Sequence, residues 1–294
     1  MPGIILLDNS VALKYLGVKH LLDVVRRQYD SLKKFETSQQ ILKFRPVTDE
    51  EFKTLSADET RPFKSMKFHY YRPTELLLVK VMPGWDHEVI AALVRKMIDK
   101  QLMAMNVDDE CLSLPSPLNE LGNWIKEPDL CWAPTAASSK PTCVIEIGTS
   151  ESPSRLSVDA HGWLEAPQSP IQAVITISFN YLSAESAENP FTMSVWKRGH
   201  RLTDIDTRNN LCPATRISCV DVWNISGSLS VSGFCLDNDT QAPVSTDSIR
   251  LPLELFVGRQ AMNAREHDVM ITKDMLLGLL RQLWEYRRQR RTTQ

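Results

Sequence analysis

In the run Cys143-Val144-Ile145-Glu146-Ile147-Gly148 an acid interrupts apolar text that reads as a buried strand. An acid there costs free energy unless it is paired, hydrogen-bonded or bound to a cation. The chain is thereby restricted to folds that bring a partner to Glu146. A second acid, Asp129, follows a proline in Lys126-Glu127-Pro128-Asp129 and precedes the apolar stretch Leu130-Cys131-Trp132. Alternation along a strand places Val144, Glu146 and Gly148 on one face and Cys143, Ile145 and Ile147 on the other. If the two strands pair as a hairpin, Asp129 and Glu146 converge, with the carbonyl of Ile147 as a third oxygen. Two such acids are the minimum for holding one hard divalent ion, Mg²⁺ or Mn²⁺, which keeps several waters. A water made more acidic by the ion can attack a phosphodiester in line, while the ion takes up charge on the phosphate.

Composition narrows the class. An apolar share of 43% and a charged share of 24% are those of a soluble globular protein, and a net charge of −2 requires any nucleic-acid surface to be local. The longest apolar runs, such as Leu76–Val79 and Ile4–Leu7, are too short to span a bilayer. The first residues show neither a cationic lead nor a long apolar core, so no secretory signal is read. The six cysteines form no CxxC pair and no zinc spacing, and free thiols are predicted. These features predict an intracellular protein, cytoplasmic or nuclear, that is not secreted and has no membrane partner.

Helical spacing of apolar residues covers 10–34, interrupted at Gly17, and Thr48-Asp49-Glu50-Glu51 has the form of a capping box. Residues 75–82 read as a strand. Pro83-Gly84 breaks the chain, and a helix runs from Asp86, a predicted N-cap, to about residue 105. Strand text follows at Trp124-Ile125, Leu130–Trp132 and Cys143–Ile147. Ser152-Pro153 then starts a helix that ends near Pro167, and Ile171–Phe179 is the clearest buried strand. Further strands are read at 191–196, 216–223 and 229–236, and a helix over 272–291 carries Leu276, Leu279, Leu280 and Leu283 on one face.

An early helical acid, then Pro-Asp, then a strand glutamate, then a helix and a strand: this arrangement resembles the PD-(D/E)XK nuclease superfamily. The closer likeness is to uncharacterised fungal members. Their text resembles His87-Glu88, Glu127-Pro128-Asp129, Glu146-Ile147-Gly148-Thr149-Ser150-Glu151 and Asp159-Ala160-His161-Gly162-Trp163-Leu164. The likeness covers residues 75 to about 200. It implies an α/β, restriction-endonuclease-like mixed central sheet flanked by helices, and hydrolysis of DNA with Mg²⁺ or Mn²⁺ at Asp129 and Glu146. It implies more weakly an auxiliary role for Glu88. The family's lysine position, two residues after the strand glutamate, is Gly148. Arg155, in the following helix, and Lys126 are the candidate substitutes. The alternative is an inactive nuclease fold that binds nucleic acid or protein. Many nucleases of this fold cut as dimers, so a homodimer is open. Residues 1–70 are read as a helical N-terminal extension. Residues 71–294 are read as the nuclease-like domain, with a C-terminal β-rich part closed by a long helix.

Each motif also has a plainer reading. Glu88 in a first helical turn is favoured by the helix dipole alone. Arg155 and Asp159, four residues apart, suit a solvent-exposed ion pair. Trp124, Trp132 and Trp163 read as core. The cluster Arg287-Arg288-Gln289-Arg290-Arg291 suits phosphate contact or nuclear import, and is better read as a solvated helix end. No Gly-rich phosphate loop, GxSxG elbow, HExxH pair or dinucleotide fingerprint is present, which sets aside the common hydrolase, ATPase and dehydrogenase mechanisms.

Overall fold

The two acid-bearing segments pair directly in the computed structural model. It describes residues 11–34, 36–37, 39–57, 66–81, 84–114, 116–136, 140–149, 153–166, 168–179, 191–199, 213–225, 228–237 and 239–291. The expectations placed on Ile4–Leu7, Pro83, Ser150, Glu151, Ser152, Cys212 and the side chains of Arg290 and Arg291 lie outside the described residues.

In chain order the elements begin with β1 (Leu13–Lys14), α1 (Val18–Lys33), β2 (Ile41–Arg45), α2 (Asp49–Ser56), β3 (Met66–Tyr71), β4 (Leu76–Val81), α3 (Trp85–Met105), β5 (Cys111–Leu114), β6 (Asn119–Leu121) and β7 (Trp124–Lys126). They continue with β8 (Leu130–Pro134), β9 (Cys143–Thr149), α4 (Pro153–Leu164), β10 (Ala173–Phe179), β11 (Phe191–Arg198), β12 (Ala214–Ile225), β13 (Ser228–Leu236) and β14 (Pro243–Thr246). The last are β15 (Ile249–Leu251), α5 (Glu254–Val257), β16 (Val269–Ile271) and α6 (Lys273–Arg291). The fold is mixed α/β.

The chain divides into two units. The first takes Met1–Trp85, Ser116–Pro128 and Ala166–Ser169, and the second takes the remainder. The division predicted at residue 70 is therefore displaced. The N-terminal segment carries the predicted helices α1 and α2, but also most of a six-stranded sheet in the order β1-β2-β4-β3-β7-β6. The reason is pairing. Strand β4, read from sequence as the start of the nuclease-like domain, lies between β2 and β3. Its Leu77, Val79 and Val81 are buried with Leu21 and Val25 of α1 and Phe52 of α2. Phe52 stacks on Tyr70 with ring centroids 4.4 Å apart, a contact worth about 0.5–1.5 kcal/mol beyond area burial. The predicted capping box is formed: Thr48 accepts from the Glu51 amide, and the Glu51 carboxylate accepts from the Thr48 amide at 2.8 Å. Helix α1 starts later than its periodicity suggested. Gly17 has φ 97°, left-handed backbone that side chains resist, and so separates α1 from β1.

The second unit holds an eight-stranded sheet in the order β14-β13-β12-β11-β10-β9-β8-β5. Within it, α3-β5-β8-β9-α4-β10 forms a run of three antiparallel strands followed by a parallel one. The parallel pair β9/β10 requires a crossover, which α4 supplies. Cys143, Ile145 and Ile147 join one apolar core with α3, α5 and α6, as the alternation predicted. The predicted strand at Trp124 does not belong to this sheet. It pairs with β3 and β6 in the first unit, and the short β5 takes the place beside β8. The C-terminal strands and α6 form the predicted β-rich part closed by a long helix. No helix among the described residues is long and apolar enough to cross a membrane.

Cys111, Cys131, Cys143, Cys219 and Cys235 are free thiols. Burial pushes Cys143 up and Cys111 up to about 12. The thiolate is the nucleophile, so iodoacetamide at pH 8 is expected to leave Cys143 unlabelled in native protein and to label it in guanidinium, as read by peptide mass spectrometry. Thr48→Ala should lower stability by about 1 kcal/mol, measured by urea unfolding.

Candidate active site

The site grows from the β8/β9 ladder. Leu130 opposes Ile145 and Cys131 opposes Val144. Asp129 directly precedes this ladder. The Asp129 amide donates to the Ile145 carbonyl at 3.2 Å, and the Asp129 carboxylate accepts the Ile147 amide at 2.7 Å. The Asp129 amide and carboxylate thus bond to the β9 residues on either side of Glu146. Both are buried, Glu146 to 1% exposure and Asp129 to 5%.

Burying an acid requires donors. Glu146 accepts a hydrogen bond from the Trp163 indole at 2.6 Å, reaching it from α4. A hydrogen bond to a charged group contributes about 1.5–3 kcal/mol. At Asp129 the second neighbour is His87, whose Nε2 lies 3.1 Å from Oδ2, while its Nδ1 lies 3.5 Å from the Glu88 carboxylate. The imidazole thus stands between two carboxylates. His87 sits in the first turn of α3, which begins at Trp85, so Asp86 is a first-turn residue rather than the predicted N-cap. Asp86 is gripped by Arg287 of α6 through two parallel bonds of 2.9 and 2.6 Å. The same guanidinium lies 5.0 Å from the centre of the Phe179 ring. This fork-on-fork geometry is strong and directional. It corrects the reading of the arginine cluster as a solvated helix end, at least for half-buried Arg287.

The other predicted residues are placed as follows. Glu88 is 70% exposed in its side chain and meets His87. Arg155 is half-buried in the first turn of α4, on the stripe that Asp159 and Trp163 continue at four-residue spacing. Asp159 is buried, which corrects its reading as one half of a solvent-exposed pair. Gly148, the departure from the family pattern, lies two residues beyond Glu146 on the same face of β9, opposite Ser178 of β10. Lys126 belongs to the first unit, on β7 opposite His69. Among the described residues no group of three or more His, Cys, Asp or Glu is arranged to hold a metal ion. Sequence reasoning gave no structural part to His87 and placed Trp163 simply in the core. The signal for Trp163 was its spacing from Arg155 and Asp159, which puts it on one helix face with two charged residues.

No protein-family model matches the chain. No curated protein matches it either. Among solved structures, the chain is similar to one from Anabaena variabilis described as a "putative nuclease belonging to DUF820". The identity is 15%, the TM-score is 0.36, and the match covers 52% of this chain and 80% of the other. At that distance no chemistry is read across.

Trp163→Phe should keep the ring and remove the donor to Glu146, lowering stability by about 1–3 kcal/mol in urea unfolding. An unchanged midpoint would show that Glu146 does not depend on the indole.

Proposed function

We propose that the chain is a metal-dependent nuclease of the PD-(D/E)XK type that hydrolyses phosphodiesters of DNA. The observation that carries this reading is that two buried acids adjoin: Asp129 bonds to the Ile145 carbonyl and the Ile147 amide, the β9 residues flanking Glu146. The likeness to the superfamily and its fungal members, drawn from the motif text, supports it. Asp129 and Glu146 are the residues to hold Mg²⁺ or Mn²⁺. The Ile147 amide points to Asp129, and a strand residue carries its amide and carbonyl on the same edge, so the Ile147 carbonyl suits the third position. When bound, the ion supplies a Lewis acid for the phosphate and makes a water more acidic.

The chain's own residues then have distinct parts. His87 and the Ile147 amide orient Asp129, and Trp163 orients Glu146. Arg155 offsets charge on the phosphate in place of the lysine absent at Gly148. Glu88 serves as an auxiliary acid acting through His87. The compartment in this reading is intracellular, cytoplasmic or nuclear.

A second reading is favoured by a specific set of observations. Gly148 stands at the lysine position, protein donors already engage both carboxylates, and no three-ligand group occurs among the described residues. These favour an inactive nuclease fold that binds nucleic acid or protein.

The deciding experiment is cleavage of plasmid and single-stranded DNA with Mg²⁺ or Mn²⁺, alongside Mn²⁺ calorimetry. Under the nuclease reading, Asp129→Ala and Glu146→Ala each reduce cleavage by roughly a hundredfold or more and abolish Mn²⁺ binding. An intact chain that neither cleaves DNA nor binds Mn²⁺ establishes the binding module instead.

A further inference from the structure

A cleft of about 630 Å³ in the first unit is lined by Lys14, Arg45, Arg72, Thr74 and Glu75, with Pro46 and Pro73 as its apolar wall. This volume lies within the range of small-molecule sites, roughly 300–1,000 Å³. The parallel pairing of β1 with β2 aligns Lys14 with Arg45. Neighbouring strands run about 4.8 Å apart, so two cations are held side by side. Like charges directly opposite in a sheet destabilise it. Both side chains are exposed, and neither has an ion-pair partner among the described residues.

The third cation is fixed rather than mobile. Arg72 donates to Asp49 at 2.9 Å, to Glu120 at 2.9 Å and to the Gly122 carbonyl at 3.2 Å. A guanidinium has five N–H groups, so donors remain for a ligand. The turn beneath it is tied as well. The Glu75 amide donates to the Arg72 carbonyl, the Glu75 carbonyl accepts from the Val47 amide, and Glu75 has φ 50°. Arg72 and Lys53 together offset the carboxylates of Asp49 and Glu120, so the cations without a counter-charge are Lys14 and Arg45, opposed in the lining by Glu75 alone.

We propose that this cleft binds a phosphate ester. The anionic oxygens of a phosphate ester can engage both cations at once and accept from the Thr74 hydroxyl and the remaining Arg72 donors, while the prolines border the rest of the ligand. The inference is independent of the Asp129–Glu146 reading. The source of the phosphate is either a free nucleotide or a nucleic-acid backbone.

The test uses the full chain in EDTA, which removes any contribution from a divalent ion. Inorganic phosphate and adenosine monophosphate are titrated by calorimetry, and a labelled DNA duplex by fluorescence anisotropy at several salt concentrations. The Lys14→Met/Arg45→Met double variant is compared with Lys14→Arg, and unfolding midpoints confirm that both fold. The double variant is expected to weaken binding roughly tenfold or more, as removal of charge-assisted bonds requires, while Lys14→Arg retains it. If the duplex is the ligand, its log–log salt slope falls by about 0.9 for each phosphate that the variant no longer neutralises. If phosphate and the mononucleotide bind and the duplex does not, the source is a free nucleotide. The proposal is overturned if none of the three binds the wild-type chain, or if the double variant binds each as tightly as wild type.

Discussion

The acid pair depends on one short hydrogen bond, from the Ile147 amide to the Asp129 carboxylate. Strand β8 begins at Leu130, and Pro128 has no N–H with which to extend a ladder. The Asp129 amide makes the last backbone bond toward β9, and its side chain then takes the next amide, acting as one more rung. That rung sets the orientation of the carboxylate at the edge of β9. Without it, Asp129 is an acid in a turn. With it, Asp129 is a second buried carboxylate tied to the strand that carries Glu146, an arrangement sustained only by donors or a cation.

The donors arrive from opposite sides of that sheet. Trp163 comes from α4, the crossover that the parallel pair β9/β10 requires, so the topology that makes β10 parallel also delivers the indole to Glu146. His87 comes from α3, on the side of the large apolar core. The first turn of α3 is held by Arg287, more than a hundred residues later in the chain. Helix α6 therefore does more than cover Leu276, Leu279, Leu280 and Leu283. Its last turns fix Asp86, and Asp86 adjoins the histidine that faces Asp129. The C-terminal elaboration and the acid pair are thus mechanically linked within one unit.

Much of this was legible from local pattern. The capping box at Thr48, the proline that starts α4, the apolar face of α6 and the alternation in β9 all describe interactions within a few residues. Such features survive in almost any tertiary setting. The pairing of β8 with β9 was also legible, because a hairpin between adjacent strands needs only two strand signals and a connection. The misses were all matters of partnership. Trp124-Ile125 carries a strand signal but pairs in the first unit, and Cys111–Leu114 pairs with β8. Strand β4 was placed with the second unit, although its neighbours are β2 and β3. An apolar strand carries no local mark of which sheet it joins.

The sequence by itself determined where the helices and most strands lie, which face of β9 carries an acid, and that a glycine, Gly148, stands two residues after Glu146. Tertiary structure alone decided that Glu146 is satisfied by an indole, that Asp129 faces His87, that Arg287 is committed to Asp86, and that Lys14 stands beside Arg45. The physical reason is range. Periodicity, caps and turn chemistry act over one or two turns of chain. Charge pairing and side-chain hydrogen bonds depend on which distant segments the sheet order brings together, and that order is set by burial summed over the whole core.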